Sequence, residues 1–196
     1  MPPTDRTEAL AQLQHVFSEM SAALDLCLER DLKPPALILL YSGIDIAGWM
    51  VDQGKKTVQE SFTMWVDAFM SPEKGLGCTA LELYGARCGV VHRFAPRSTL
   101  SDKGKVRKVI YAWLPSRVET LREMTELGRM SGEYVAVQGD DLVRAYKLGV
   151  QKFFADVSQF PTEALQAIAE RVFGSVTAER AEALLTQGKR LLKSGQ

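Results

Sequence analysis

The sequence predicts a mainly α-helical fold, a helical bundle followed by two short strands and further helices, and three observations carry that expectation. Apolar residues recur at alternating three- and four-residue steps through most of the first ninety-five positions, the spacing of one helical face. Prolines and a glycine-rich turn cut the pattern into helix-length pieces with short connections, which implies antiparallel neighbours in a bundle. Only beyond Pro96 do short β-branched and aromatic runs appear. A chain of 196 residues with 46% hydrophobic and 24% charged residues can build one sizeable core, so disordered and fibrous classes are excluded. The expected layout is a single domain over 1–196: a core bundle over 4–95, a basic loop with the strands over 96–138, and C-terminal helices over 139–196.

Leu10, Leu13, Phe17, Met20, Leu24 and Cys27 define the first helix, with Thr4 as its expected N-cap and Asp5 and Glu8 in the first turn. It should end near Asp31. Pro34 and Pro35 then preset the first turn of a second helix that runs to about Asp52, apolar nearly all round and therefore central. Phe62, Trp65, Val66, Phe69 and Met70 mark a third helix, which Ser71-Pro72 terminates. After the turn "SPEKGLG", Leu81, Tyr84, Cys88 and Val91 form the apolar stripe of a fourth, closing before Pro96. "KVIYAWL" (108–114) and "EYVAVQ" (133–138) read as two strands of a hairpin, with a short polar helix in "RVETLREMTELGRM" between them. A helix capped by Asp140 carries Leu142, Tyr146, Gly149, Phe153 and Val157. Two more follow Pro161 and Thr177, the first with Leu165, Ile168, Ala169, Val172 and Phe173 on one side, and the tail after Leu192 should fray.

The formal net charge is zero, but its distribution is uneven. From Arg87 to Arg117 eight cations face one anion, Asp102, so that segment carries +7 and the remainder −7. Such a surplus suits a polyanion such as nucleic acid, and equally a solvated loop. Cys27, Cys78 and Cys88 are an odd number without ligand spacing, and a reduced cytoplasmic setting is expected. The most apolar run, Ala36 to Val51, is shorter than the roughly 20 residues of a membrane span and carries Asp45 and two glycines. No membrane association is expected.

Gly43 and Gly48 lack the Gly-Lys-Ser/Thr of a phosphate loop, two histidines cannot assemble a zinc signature, and no serine sits in a nucleophile elbow. No metal or cofactor is expected. His15 beside the first helix's apolar face reads as structural or solvated, and Trp49, Trp65 and Trp113 read first as core residues. Asp45 is different, because a carboxylate in an apolar helix must find a partner or hold a proton. Its candidates are Arg87, His92, Tyr84 or a backbone amide.

Arg87 and His92 are the remaining pair with chemistry. Five residues on an unbroken helix turn through about 140° beyond a full revolution, which places the two on opposite sides of the Leu81–Val91 stripe. Convergence then requires the helix to loosen at Gly89 or end at His92, or a second copy of the chain to supply the complementary residue.

"LYGARCGVVHRF", preceded by the apolar "LILLYSGIDIAGWM" and the aromatic "FTMWVDAFM", resembles the HEPN superfamily, whose active members carry an Arg-x4-6-His motif in a small helical bundle. The resemblance spans roughly residues 8 to 115, with "GVQKFFADV" as a later bundle helix. It implies a homodimer whose motifs meet at the interface and a metal-independent endoribonuclease, often a toxin restrained by an antitoxin or a phage-defence protein. Arg87 and His92 would be the catalytic pair and Asp45 and Cys88 the orienting residues, Cys88 standing where the family often has Asn, Asp or His. Histidine would take the 2′-OH proton, arginine would hold charge on the phosphate oxygens, and a 2′,3′-cyclic phosphate would result. Arg93, Arg97, Lys103 and Lys105 would grip flanking RNA phosphates, while Phe94 would stack on a base or fill an interface. The competing expectation is a non-catalytic dimeric helical module that binds a protein partner or a nucleotide.

Overall fold

Four of the helices begin where a polar side chain accepts one of the open N–H groups of the first turn. The computed structural model describes residues 5–52, 55–71, 75–170 and 185–186. Helix α1 spans Arg6–Glu29, and its cap is Asp5, not Thr4: the Asp5 carboxylate accepts the Glu8 N–H at 2.9 Å, and Thr4 lies outside the described residues. Helix α2 spans Lys33–Asp52, entered through the two prolines. Helices α3, Val58–Phe69, and α4, Ala80–Arg93, each start in a reciprocal capping box, Thr57 with Glu60 and Thr79 with Glu82. A one-turn helix α5, Thr99–Asp102, follows.

The chain is mainly helical, with eight helices and one two-stranded sheet among the described residues. Strands β1, Lys108–Ala112, and β2, Tyr134–Gln138, occur where β-branched and aromatic residues cluster. They do not form a hairpin. They pair in parallel, Lys108 opposite Tyr134 through to Ala112 opposite Gln138. The reason is the connection: residues 113–133 hold helix α6, Val118–Leu127, which carries the chain back to the starting edge as parallel pairing requires. Helix α7, Gly139–Val157, follows β2 without a loop, and Asp140 is not its cap. The Asp140 carboxylate accepts the Leu114 N–H at 3.0 Å and the Gln138 amide at 3.1 Å, tying the end of β1 to the start of α7. Helix α8, Thr162–Ala169, packs on α1 through Leu165, Ile168 and Ala169. Val172, Phe173, the helix expected after Thr177 up to position 184, and the tail lie outside the described residues.

Helix α2 is the centre. It packs against α1, α3, α4 and α7, and buries Leu40, Tyr41, Ile44, Ala47 and Met50. By length and composition it could cross a membrane, yet half of that apolar window is buried inside the bundle. Its close approach to α3 depends on Gly48, where a Cβ would lie 2.7 Å from the Ser61 carbonyl oxygen. Trp65, Phe62, Tyr146 and Phe153 complete the interior, with Phe69 and Phe153 edge to face at 5.7 Å. A smaller cluster, Ala112, Val118 and Ala136, packs α6 on the sheet.

Candidate functional site

The face that α4 buries differs from the stripe its sequence suggests. Leu83, Ala86 and Val90 enter the core, whereas Leu81, Tyr84, Cys88 and Val91 are half-buried. This rotation presents Arg87 to α2. There the Arg87 Nε donates to Asp45 Oδ2 at 2.7 Å, and Nη2 lies 2.6 Å from the same oxygen. Both side chains are mostly enclosed.

Arg87 also reaches His92 within a single chain, Nη1 to Nε2 at 2.9 Å, so neither a second copy nor a break in the helix is needed to bring the two together. The helix stays regular past Gly89 to Arg93, where Phe94 ends it in a left-handed conformation at φ 52°. Side-chain reach closes the angle: five residues advance only about 7.5 Å along the axis, and the long guanidinium stem spans the remainder. A guanidinium only donates, so His92 accepts at Nε2 and carries its proton on Nδ1 in this contact. With a contact to Cys88 counted as well, at least one Arg87 N–H group is left for another acceptor.

Burial raises the Asp45 carboxyl above the ordinary carboxylate value, although Arg87 and His92 pull it down. One carboxylate oxygen, Oδ1, is buried with no hydrogen-bond partner among the described residues, so the ion pair is one-sided. For Arg87, burial opposes the charge, but Asp45 outweighs it and holds the guanidinium above its usual value, with Cys88 adding to the effect. Burial likewise raises the Tyr84 phenol, and the adjacent Cys88 thiol adds to that shift. Cys88 thus sits between Arg87 and Tyr84, and Tyr84 packs edge to face on Phe62 at 5.5 Å.

The basic segment is placed elsewhere. Residues 95–97 cross over α4 at Gly89, where a Cβ would meet the Ala95 carbonyl oxygen at 2.3 Å, and Val106 packs on Gly85 in the same way. Gly85 and Gly89 are each two residues from Arg87, about 200° round the helix, so this loop covers the side roughly opposite Arg87. His92 is nearer to it. Much of the loop's charge is internally matched: Arg97 pairs with Asp102 at 3.0 Å, Arg107 binds Glu82 through two nitrogens, and Lys108 pairs with Glu133 and lies over the Tyr134 ring. Arg93, Lys103 and Lys105 are exposed, with no ion pair among the described residues. Phe94 is 68% exposed.

Beside the Asp45–Arg87 pair a surface cavity of about 300 Å³ opens between α2 and α3, lined by Ile46, Trp49, Lys56, Val58 and Ser61. Trp49 lines this cavity, whereas Trp65 is fully buried and Trp113 packs on Gly139 with the Lys33 ammonium 5.0 Å from its ring centre. The signal in the sequence was the spacing of Asp45 and Trp49, four residues apart on one face of α2. His15 pairs with Glu19 at an exposed site on α1. Among the described residues no three His, Cys, Asp or Glu side chains are grouped to hold a metal ion. No protein-family profile, curated protein or solved structure matches the chain.

Proposed function

We propose that the chain is a metal-independent endoribonuclease of the HEPN type, cleaving RNA to a 2′,3′-cyclic phosphate. The observation that carries this reading is the linked set Asp45–Arg87–His92, a carboxylate fixing a guanidinium that touches an exposed imidazole. An entering phosphate oxygen would take the Arg87 Nη1 donor and release His92 Nε2. That lone pair then accepts the 2′-OH proton, the 2′-oxygen attacks phosphorus, and the 5′-oxygen leaves with a proton from a second acid. A homodimer would supply that acid as the other copy's His92. An apolar groove at the C-terminal end of α4, lined by Pro34, Leu37, Val90, Phe94, Pro96 and Tyr111 among others, offers a surface for such an association. Arg93, Lys103 and Lys105 would hold flanking phosphates, Arg97 joining them only on release from Asp102. The expected setting is cytoplasmic, as a toxin with an antitoxin partner or in phage defence.

The deciding experiment is RNA cleavage in EDTA by the unmodified protein, Arg87→Ala and His92→Ala. Each variant should lose about 100-fold or more of the rate. Equal cleavage by all three overturns the reading. Binding through the basic loop should also weaken steeply between low and moderate salt.

A second reading has its own observation. Asp45 neutralises Arg87, and Arg87 occupies the His92 lone pair, an arrangement that also suits a non-catalytic dimeric module binding a protein or a nucleotide. Such a module would bind its ligand and leave RNA intact.

A further inference from the structure

We infer that the cavity between α2 and α3 is a nucleobase pocket, in which Trp49 stacks on the base of a nucleotide whose phosphate lies toward Arg87. This identifies the substrate-recognition part of the site proposed above and rests on that reading.

The cavity has the build for it. At about 300 Å³ it falls at the small end of ligand pockets. Its walls are apolar, Ile46 and Trp49 from α2 and Val58 from the first turn of α3. Trp49 packs on the core yet remains half-buried, leaving indole surface toward the cavity. Val58 is 55% exposed, so an apolar side chain stands at the mouth where nothing in the fold requires it.

The polar lining narrows the ligand. Ser61 Oγ donates to Asp52, and Asp45 Oδ2 is taken by Arg87 while Oδ1 is sealed from the surface. Among the described residues the charged groups of the lining with free hydrogen-bonding capacity are cations, Arg87 at one end and Lys56 at the exposed side. Asp52 and Glu60 are the acids nearest Lys56 in sequence, and Asp52 takes the Ser61 hydroxyl while Glu60 turns its carboxylate to Thr57 in the capping box. A flat apolar wall between two cationic donors matches an anion with a planar, stackable body, which is the chemistry of a nucleotide. A purely apolar ligand would leave both cations unused.

The test is titration of the full-length protein with each of the four ribonucleoside 3′-monophosphates, followed by calorimetry and by the Trp49 indole resonance. Saturable binding is expected for at least one base, weakened about tenfold or more by Trp49→Ala. Trp49→Phe should retain most of the affinity. Val58→Trp plugs the mouth from an exposed position without touching the core, and should abolish binding in a folded protein. No binding by the unmodified protein, or binding that both Trp49→Ala and Val58→Trp leave unchanged, overturns the pocket. The cleavage assay separates the two readings. Trp49-dependent binding without RNA cleavage sinks the ribonuclease and keeps the pocket; cleavage that needs Arg87 and His92 but keeps its rate and base preference in Val58→Trp does the reverse.

Discussion

Asp45 and Arg87 show how unevenly one ion pair can be supported. Three groups share the geometry: the carboxylate holds two guanidinium nitrogens on Oδ2, Oδ1 has no partner among the described residues, and the remaining guanidinium nitrogen is on His92. Removing the cation should therefore hurt more than neutralising the anion. Arg87→Ala strands a buried carboxyl and should cost about 2–3 kcal/mol near neutral pH, whereas Asp45→Asn should cost about 1 kcal/mol or less. The pH dependence has a definite sign. Burial already raises the Asp45 carboxyl, and losing Arg87 removes the main group pulling it down, so the folded variant holds a proton that the unfolded chain releases. The Arg87→Ala penalty must then shrink as pH falls toward the ordinary aspartate range, and a penalty in urea melts that grows on acidification would contradict it. At this scale the sequence disclosed Asp45 through chemistry, since a carboxylate among apolar residues needs a partner. It did not disclose which partner, because Arg87 lies forty-two positions away and faces α2 only through the rotation of α4.

Among elements, α4 and β1 are fastened by one buried contact. Glu82 is almost enclosed, caps its own helix through the Thr79 N–H, and takes Arg107 Nε at 2.6 Å and Nη2 at 3.2 Å. Burial works against the Glu82 charge, yet Arg107 and Thr79 together hold its carboxyl below the usual value. Arg107→Ala should destabilise the fold by about 2 kcal/mol, less than a fully buried pair because the arginine is 39% exposed, and Arg107→Lys should recover part of it. A melting temperature unchanged in Arg107→Ala would mean that the contact does not hold β1. Gly89→Ala should act on the neighbouring element, because its Cβ would strike backbone oxygens of residues 95 and 97 and dislodge the basic loop. Chymotryptic cleavage after Phe94 offers the readout, with faster cutting expected in the variant. The helices were legible because spacing and caps are local. The parallel sheet was not, since nothing within 108–114 or 133–138 encodes the direction of a partner strand; only the helix between them does. The α2–α3 cavity was equally hidden, being a property of two helices meeting at Gly48.

The whole molecule carries an alkaline weakness. Tyr41 and Tyr111 share one hydrogen bond between their hydroxyls, Tyr146 keeps a buried hydroxyl without a partner among the described residues, and Cys78 is buried beside Glu82. Burial pushes the Cys78 thiol up to about 12 from an ordinary 9.0, and raises all three phenols above their ordinary 10.0. Above about pH 9 the unfolded chain loses protons that the fold retains, so each group subtracts up to about 1.4 kcal/mol of stability per pH unit. Urea midpoints should decline steadily from about pH 8.5 upward, and Cys78→Ala should flatten the early part of that decline. A midpoint constant to pH 10.5 or so would show that these groups ionise without unfolding the chain. The junction of β2 and α7 has a further consequence for the whole. Gln138 ends the strand, Gly139 begins the helix, and the Trp113 ring occupies the space where a Cβ at Gly139 would lie 2.5 Å away. No slack exists at that joint. The sheet and the nineteen-residue helix behind it are therefore joined without a linker, and the helix carries Tyr146 and Phe153 from that joint into the heart of the bundle.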